Sequence, residues 1–319
     1  MLATKALIFL LLSASAAVEG KQSRRRKGHR KIASAHHRHA PPTRLATPNR
    51  FATSIKTNML FPVAAGNSWT TSSEVEDALP LSDSTLRLVN GHGSLWYTTA
   101  PDGKEGIQVR YPRRSRQGIH IYARGPSWVD LTTAKEVTFG YSIFFEEGFE
   151  WNKGGKLPGL YGGDSDRGAR GCSGGRRSDS CFSTRLMWRP SGAGEFYTYL
   201  PQVWENKKQC RVQPKSHCNP RYGASVGRGS FYFEGGRWNT VTERIRLNDV
   251  GEANGEMELF VDGESVISVY GLVLRTSHAG RFRGIQLETF FGGSDSSWGP
   301  PRDVDAWFSD FSVAIVETL

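Results

Sequence analysis

Residues 257–269 read MELFVDGESVISV, two strand-forming runs on either side of Asp262-Gly263. An Asp-Gly pair between such runs is the signature of a two-residue β-hairpin, because both positions tolerate the positive φ that the turn requires. Upstream, residues 137–145 (VTFGYSIFF) place large apolar side chains at 137, 139, 141, 143 and 145, the period of a strand. Residues 285–291 and 307–316 supply further strands, and turn residues (GHG, PDGK, GGRW, NG, GGSD, GPP) punctuate the chain. No long stretch carries a helical period, and no internal repeat is visible. Short strands and frequent glycine turns from residue 74 to 319 predict an all-β fold, a single β-sandwich of the jelly-roll kind.

The 319 residues carry 41 Lys and Arg against 31 Asp and Glu, a net charge of +10 that points at first to a nucleic-acid partner. Its location removes that reading. Eleven of the cations lie between Lys21 and Lys56, a stretch with no Asp or Glu, whereas residues 74–319 hold 29 basic and 30 acidic residues. No nucleic acid is expected as a partner. Residues 1–17 (MLATKALIFLLLSASAA) combine one lysine, a short apolar run and Ala14-Ser15-Ala16, and are expected to be a signal peptide of a secreted, extracellular protein. A transmembrane anchor is the alternative, but the run is far shorter than the roughly 20 residues of a membrane span.

Residues 18–58 are expected to form a basic disordered arm or propeptide, and 59–319 the folded domain. The arm holds His29, His36, His37 and His39, for which a solvated tract is favoured over a metal site, and Arg24-Arg25-Arg26-Lys27, which also suits a processing protease. Secretion permits disulfides, and Cys172–Cys181 with Cys210–Cys218 are the local pairings favoured among the three possible.

Residues 182–202 read FSTRLMW, RPSGAGE and FYTYLPQ, two strand-like flanks around a Pro-Gly turn. Phe182, Thr184, Leu186 and Trp188 share one face with Phe196, Thr198 and Leu200, which makes that face core. A hairpin closing about Ser191 sets Arg185 opposite Tyr197 and Ser183 opposite Tyr199 on the other face, at about 4.5–5.5 Å between Cβ atoms. A slip of one residue would bury the polar set and expose the aromatics, so the apolar pattern fixes the register. One guanidinium, one hydroxyl and two phenols suit an acidic sugar, since arginine forks onto carboxylates and tyrosine rings stack on sugar rings. An ordinary solvated sheet face is the plainer alternative. Upstream, residues 152–163 (NKGGKLPGLYGG) read as a glycine-rich turn able to approach a ligand closely, and lack the spacing and the Ser or Thr of a phosphate-binding loop.

FEWNKGGKLPGLYGG (149–163), GCSGG (171–175) leading to CFSTRLMWR (181–189), and FYTY (196–199) resemble the alginate lyases of polysaccharide lyase family 14 and the related glucuronan lyases of family 20. RLN (246–248), NG (254–255), VDG (261–263), TFFGGSD (289–295) and WFSDF (307–311) extend the resemblance to the C-terminus. It implies a concanavalin- or laminin-G-like jelly roll whose concave face binds a 4-linked polyuronate and cleaves it by β-elimination. Carried over residue by residue, it implies Lys156, Arg185, Tyr197 and Tyr199 as catalytic residues and Ser183 as a substrate contact. Lys153, Arg176 and Arg177 are further candidates for substrate binding, with Arg110, Arg113, Arg114 and Arg116 as possible extensions of the subsite. No cofactor is called for, no metal ligand is assigned, and a monomer is expected.

The chemistry explains these residue types. Removing the C5 proton of a uronate adds charge beside a carboxylate, so a cation, here Arg185 helped by Lys156 or Ser183, must neutralise it first. Tyr197 or Lys156 is then the candidate base and a tyrosine the acid. Either base must have its pKa lowered by cationic neighbours or burial to work near neutrality. A glycoside hydrolase would need two facing carboxylates, and neither Glu146/Glu147 nor Glu256/Glu258 shares that face. A non-catalytic lectin-like module binding acidic polysaccharide is the alternative from another class.

Overall fold

The computed structural model describes residues 55–319 apart from 64–65 and 91–94. The expected signal peptide, the four arm histidines and the Arg24–Lys27 cluster lie outside the described residues. After a short helix α1 (Ile55–Leu60), the chain forms β1 (Ser68–Thr70), β2 (Leu88–Asn90), β3 (Trp96–Thr99), β4 (Glu105–Tyr111), β5 (Ile119–Ala123), β6 (Ala134–Phe145), β7 (Gly155–Gly163) and β8 (Cys181–Trp188). Then follow β9 (Gly194–Tyr199), β10 (His217–Cys218), β11 (Ala224–Val226), β12 (Trp238–Arg246), β13 (Gly255–Val261), β14 (Glu264–Leu272), β15 (Arg281–Phe291) and β16 (Val304–Thr318).

The strands make two antiparallel sheets packed face to face, the β-sandwich expected from the turn-punctuated alternation. The first runs β14-β13-β12-β6-β16-β4-β3 with β1 on β16, and the second runs β10-β11-β9-β8-β7-β15-β5-β2. Asp262 and Gly263 adopt φ of 49° and 90° and join β13 to β14, as their pairing in sequence predicts. Phe139, Tyr141, Ile143 and Phe145 from β6 meet Leu157, Leu160, Phe182, Leu186 and Trp188 of the second sheet in one core.

Residues 155–163 form a central strand, where a loop was expected. Its glycines answer to packing: a Cβ on Gly155 would lie 2.1 Å from the Trp188 ring, and one on Gly162 2.4 Å from the Phe182 ring. Pro158 is an extra residue opposite β8, because Leu157 pairs with Leu186 while Gly159 pairs with Arg185. This bulge lets Leu157 and Leu160 both face the core, and so keeps Lys156 and Tyr161 on the same outer face despite their odd spacing. Side chains of the first sheet satisfy the backbone groups that the bulge frees: the Tyr141 hydroxyl donates to the Pro158 carbonyl at 2.9 Å, and Glu243 Oε1 accepts from the Leu160 N–H.

Lys56 sits on α1 and belongs to the fold, although it falls within the basic stretch expected to be disordered. Its ammonium contacts Ser142 Oγ at 2.7 Å, Thr240 Oγ1 at 2.9 Å and the buried Asp310 carboxylate at 2.8 Å, all on the first sheet. Lys104 reaches the same carboxylate oxygen at 2.6 Å.

Candidate active site

The outer face of the second sheet holds a cavity of about 590 Å³ whose floor comes from β7, β8, β9 and β15. The hairpin register is as the apolar pattern requires: Arg185 pairs with Tyr197 and Ser183 with Tyr199. Lys156, Arg185, Tyr197 and Tyr199 all line this cavity, so four residues chosen from two separate segments meet in one place.

Lys156 is buried, with 9% of its surface exposed. Its ammonium nitrogen lies 3.3 Å from the centre of the Tyr197 ring and 2.7 Å from Met187 Sδ, and it has no ion-pair partner among the described residues. Burial depresses its pKa well below the ordinary lysine range, and the positive charges of Arg185 and Arg189 push the same way. The amine is thereby biased toward its neutral, proton-accepting form. Burial acts oppositely on Tyr197, raising its pKa with help from the Tyr199 phenol beside it, so this hydroxyl stays protonated. A proton acceptor and a proton donor thus lie side by side, each held by its surroundings in the form that can react.

The arginines of the floor are already engaged. Arg185 is 1% exposed and its Nη1 donates to Glu288 at 2.5 Å, while its Nε is buried without a hydrogen-bond partner among the described residues. Arg189 donates to Glu195, a fully buried carboxylate that also accepts from Arg228 at 2.6 Å and from the Ser225 hydroxyl. His120 lies across from Glu288 on β5, with Nδ1 4.0 Å from Oε1, and packs on Phe290. Arg189, Arg228, Glu195, Glu288 and His120 were not expected from sequence. Among the described residues, Glu195 and Glu288 on this face are tied to arginines, and Glu256 and Glu258 sit on the other sheet around Arg244, away from the cavity.

Several expected contacts lie elsewhere. Ser183 has the right parity but is buried, and its hydroxyl donates to the Cys172 carbonyl at 2.8 Å, beneath the loop closed by the Cys172–Cys181 disulfide. That loop also donates its Gly175 N–H to the Tyr199 hydroxyl at 3.0 Å, which fixes one phenol of the cleft. Lys153 bonds Ser297 outside the cavity, Arg176 stays in the exposed loop, and Arg177 lines a neighbouring cavity. Arg110 is paired with Asp305, and Arg114 and Arg116 line a third cavity that shares His120 and Phe290 with the main one. Arg113 lines none of these three cavities. The second disulfide, Cys210–Cys218, is also formed.

The solved structures similar to this chain include alginate lyases. The PL-14 alginate lyase of Aplysia kurodai is 29% identical, with a TM-score of 0.68 over 79% of this chain and 100% of that one. The alginate lyase vAL-1 from Chlorella virus is 20% identical, with a TM-score of 0.57 over 73% of this chain and 93% of that one, a likeness of fold. No curated protein matches in sequence. Residues 99–311 match the family described as Polysaccharide lyase 14, a span that holds every residue of the cavity floor. The chain belongs to the polysaccharide lyase 14 family and is a polysaccharide lyase.

Proposed function

We propose that this lyase is secreted and cleaves a 4-linked polyuronate of the alginate or glucuronan type by β-elimination, with Lys156 as base and Tyr197 as acid. The observation that carries the reading is the Lys156 amine, buried within reach of the charges of Arg185 and Arg189, with no ion-pair partner among the described residues and 3.3 Å from the centre of the Tyr197 ring. Residues 1–17 serve as the signal peptide, and the basic stretch that runs up to α1 serves as an arm or propeptide; the two disulfides accord with an oxidising destination.

In this mechanism the positive charge of Arg185 at the cavity floor offsets that of the substrate carboxylate, which lowers the cost of carbanion character at C5. The Lys156 amine removes the C5 proton, the C5 electron pair forms the C4–C5 double bond, and the C4–O4 bond breaks. Tyr197 then gives its phenolic proton to O4. The products are a new reducing end and a 4,5-unsaturated uronate at the new non-reducing end. The Lys156 ammonium, lying over the Tyr197 ring, can return its proton to the phenolate and restore the starting state.

The test is incubation with polymannuronate, polyguluronate and polyglucuronate while following the ultraviolet absorbance of unsaturated ends. At least one polymer is expected to be converted, and the Lys156→Ala protein should convert none. Binding of all three without new absorbance would replace the lyase chemistry by a lectin-like role.

A further inference from the structure

Beside the main cavity, at the β9–β10 end of the second sheet, lies a second one of about 390 Å³. Tyr199 and Asn219 line both, so a chain leaving the catalytic cavity over that wall enters the second. Its lining includes two cations, Arg177 and Lys207, and no carboxylate. Arg177 is anchored by an Nη2 bond to the Asn219 carbonyl, while its Nε is buried without a hydrogen-bond partner among the described residues. Its guanidinium puts a fixed positive charge on the wall of the cavity.

Trp204 completes the lining. It is 70% exposed, and the Lys207 ammonium lies 4.2 Å from its ring centre. Exposing an indole to water is unfavourable, and it is useful where a flat apolar face must meet a partner. The pair combines a surface for the C–H face of a sugar with a cation for a carboxylate on its edge. The support beneath is rigid: the short helix Glu205–Arg211 is closed by the Cys210–Cys218 disulfide. Asn206 ties it to the Pro201 and Val273 carbonyls, and Gln209 accepts from Thr198. A platform held in place loses little entropy when a ligand binds.

We propose that the cavity of Arg177, Trp204 and Lys207 is a distal subsite that binds a uronate unit of the same polymer whose reacting unit lies over Lys156. This rests on the polyuronate reading of the main cleft. Its consequence is a preference for long chains, because only a chain that crosses the Tyr199–Asn219 wall fills both cavities. It also gives Arg177, a sequence candidate for substrate binding, its place in that cavity.

The test uses Trp204→Ala and Lys207→Gln, both surface changes, in the Lys156→Ala background so that substrate is not consumed. Calorimetry compares polymeric alginate and polyglucuronate with their trisaccharides. Each change is expected to weaken polymer binding about fivefold to tenfold more than trisaccharide binding. Equal weakening of polymer and trisaccharide, no weakening of the polymer, or no polymer bound before mutation overturns the subsite. Failure of the function is read separately: if the unmutated protein produces no unsaturated ends, the lyase chemistry falls, while the binding comparison still decides the subsite.

Discussion

Glu243 of β12 reaches across the sandwich to accept the backbone N–H of Leu160 in β7, with 2.5 Å between Oε1 and N. The bond connects the buried interior of one sheet to the bulge that keeps Lys156 on the outer face of the other. Removing the acceptor strands a buried N–H, which costs about 1–3 kcal/mol. Glu243→Leu should lose that much in denaturant unfolding and lose turnover with it, whereas Glu243→Gln, which keeps an acceptor oxygen, should retain most of both. Burial raises the Glu243 pKa from 4.5 to about 8. The folded state therefore holds this proton more tightly than the unfolded chain, and stability falls as pH rises between those values. Glu243→Gln should flatten that part of the melting-temperature profile; an unchanged slope would assign it to other groups.

Lys156 must be neutral to accept a proton, so activity should rise with pH as it deprotonates, well below the ordinary lysine range. Lys156→Ala should cost at least about a hundredfold in kcat. Arg189 is one of the charges that depress this lysine, and Arg189→Gln should therefore move the acid limb of kcat/KM to higher pH. A limb that stays in place or moves down would remove Lys156 as the base.

Tyr197→Phe leaves the ring that lies under the Lys156 amine and deletes only the hydroxyl. With the proton donor gone, kcat should fall about a hundredfold or more while the melting temperature changes little. Should full turnover persist, the acid must be sought elsewhere, with Tyr199 the next phenol on the same strand.

Ser183 holds the Cys172 carbonyl and does not reach the cavity. Ser183→Ala should then cost about 1 kcal/mol of stability and little of kcat/KM. The double change Cys172→Ser/Cys181→Ser should cost more, about 2–4 kcal/mol, and should raise KM because Tyr199 loses the fixed loop that bonds its hydroxyl. A hundredfold loss of activity in Ser183→Ala at unchanged stability would return Ser183 to the substrate contacts.

The pairing of Arg185 with Tyr197 was legible because Phe182, Leu186, Trp188 and Phe196 allow only one parity for the hairpin. Depth was not legible. Whether Ser183 meets solvent depends on the disulfide loop above it, and alternation says nothing about what covers a face. Glu288 lies 103 residues from Arg185 in the chain, and no local pattern marks that ion pair. Arg189 follows the last residue of β8 and precedes Pro190, where strand parity gives no direction. Residues 155–163 looked like a loop because glycine usually breaks strands; here the rings of Trp188 and Phe182 occupy the space that side chains would need.

The contact between Lys56 and Asp310 bears on how far the chain can be trimmed. A protease that removed the basic arm by cutting before Ile55 would leave the ammonium seated among Ser142, Thr240 and Asp310. A cut beyond Lys56 would strip one counter-ion from a buried carboxylate and leave Lys104 alone to offset it, a loss that buried ion pairs tolerate poorly. Lys56, the last cation of the basic run, thus marks how far the chain could be shortened before the first sheet loses a counter-ion.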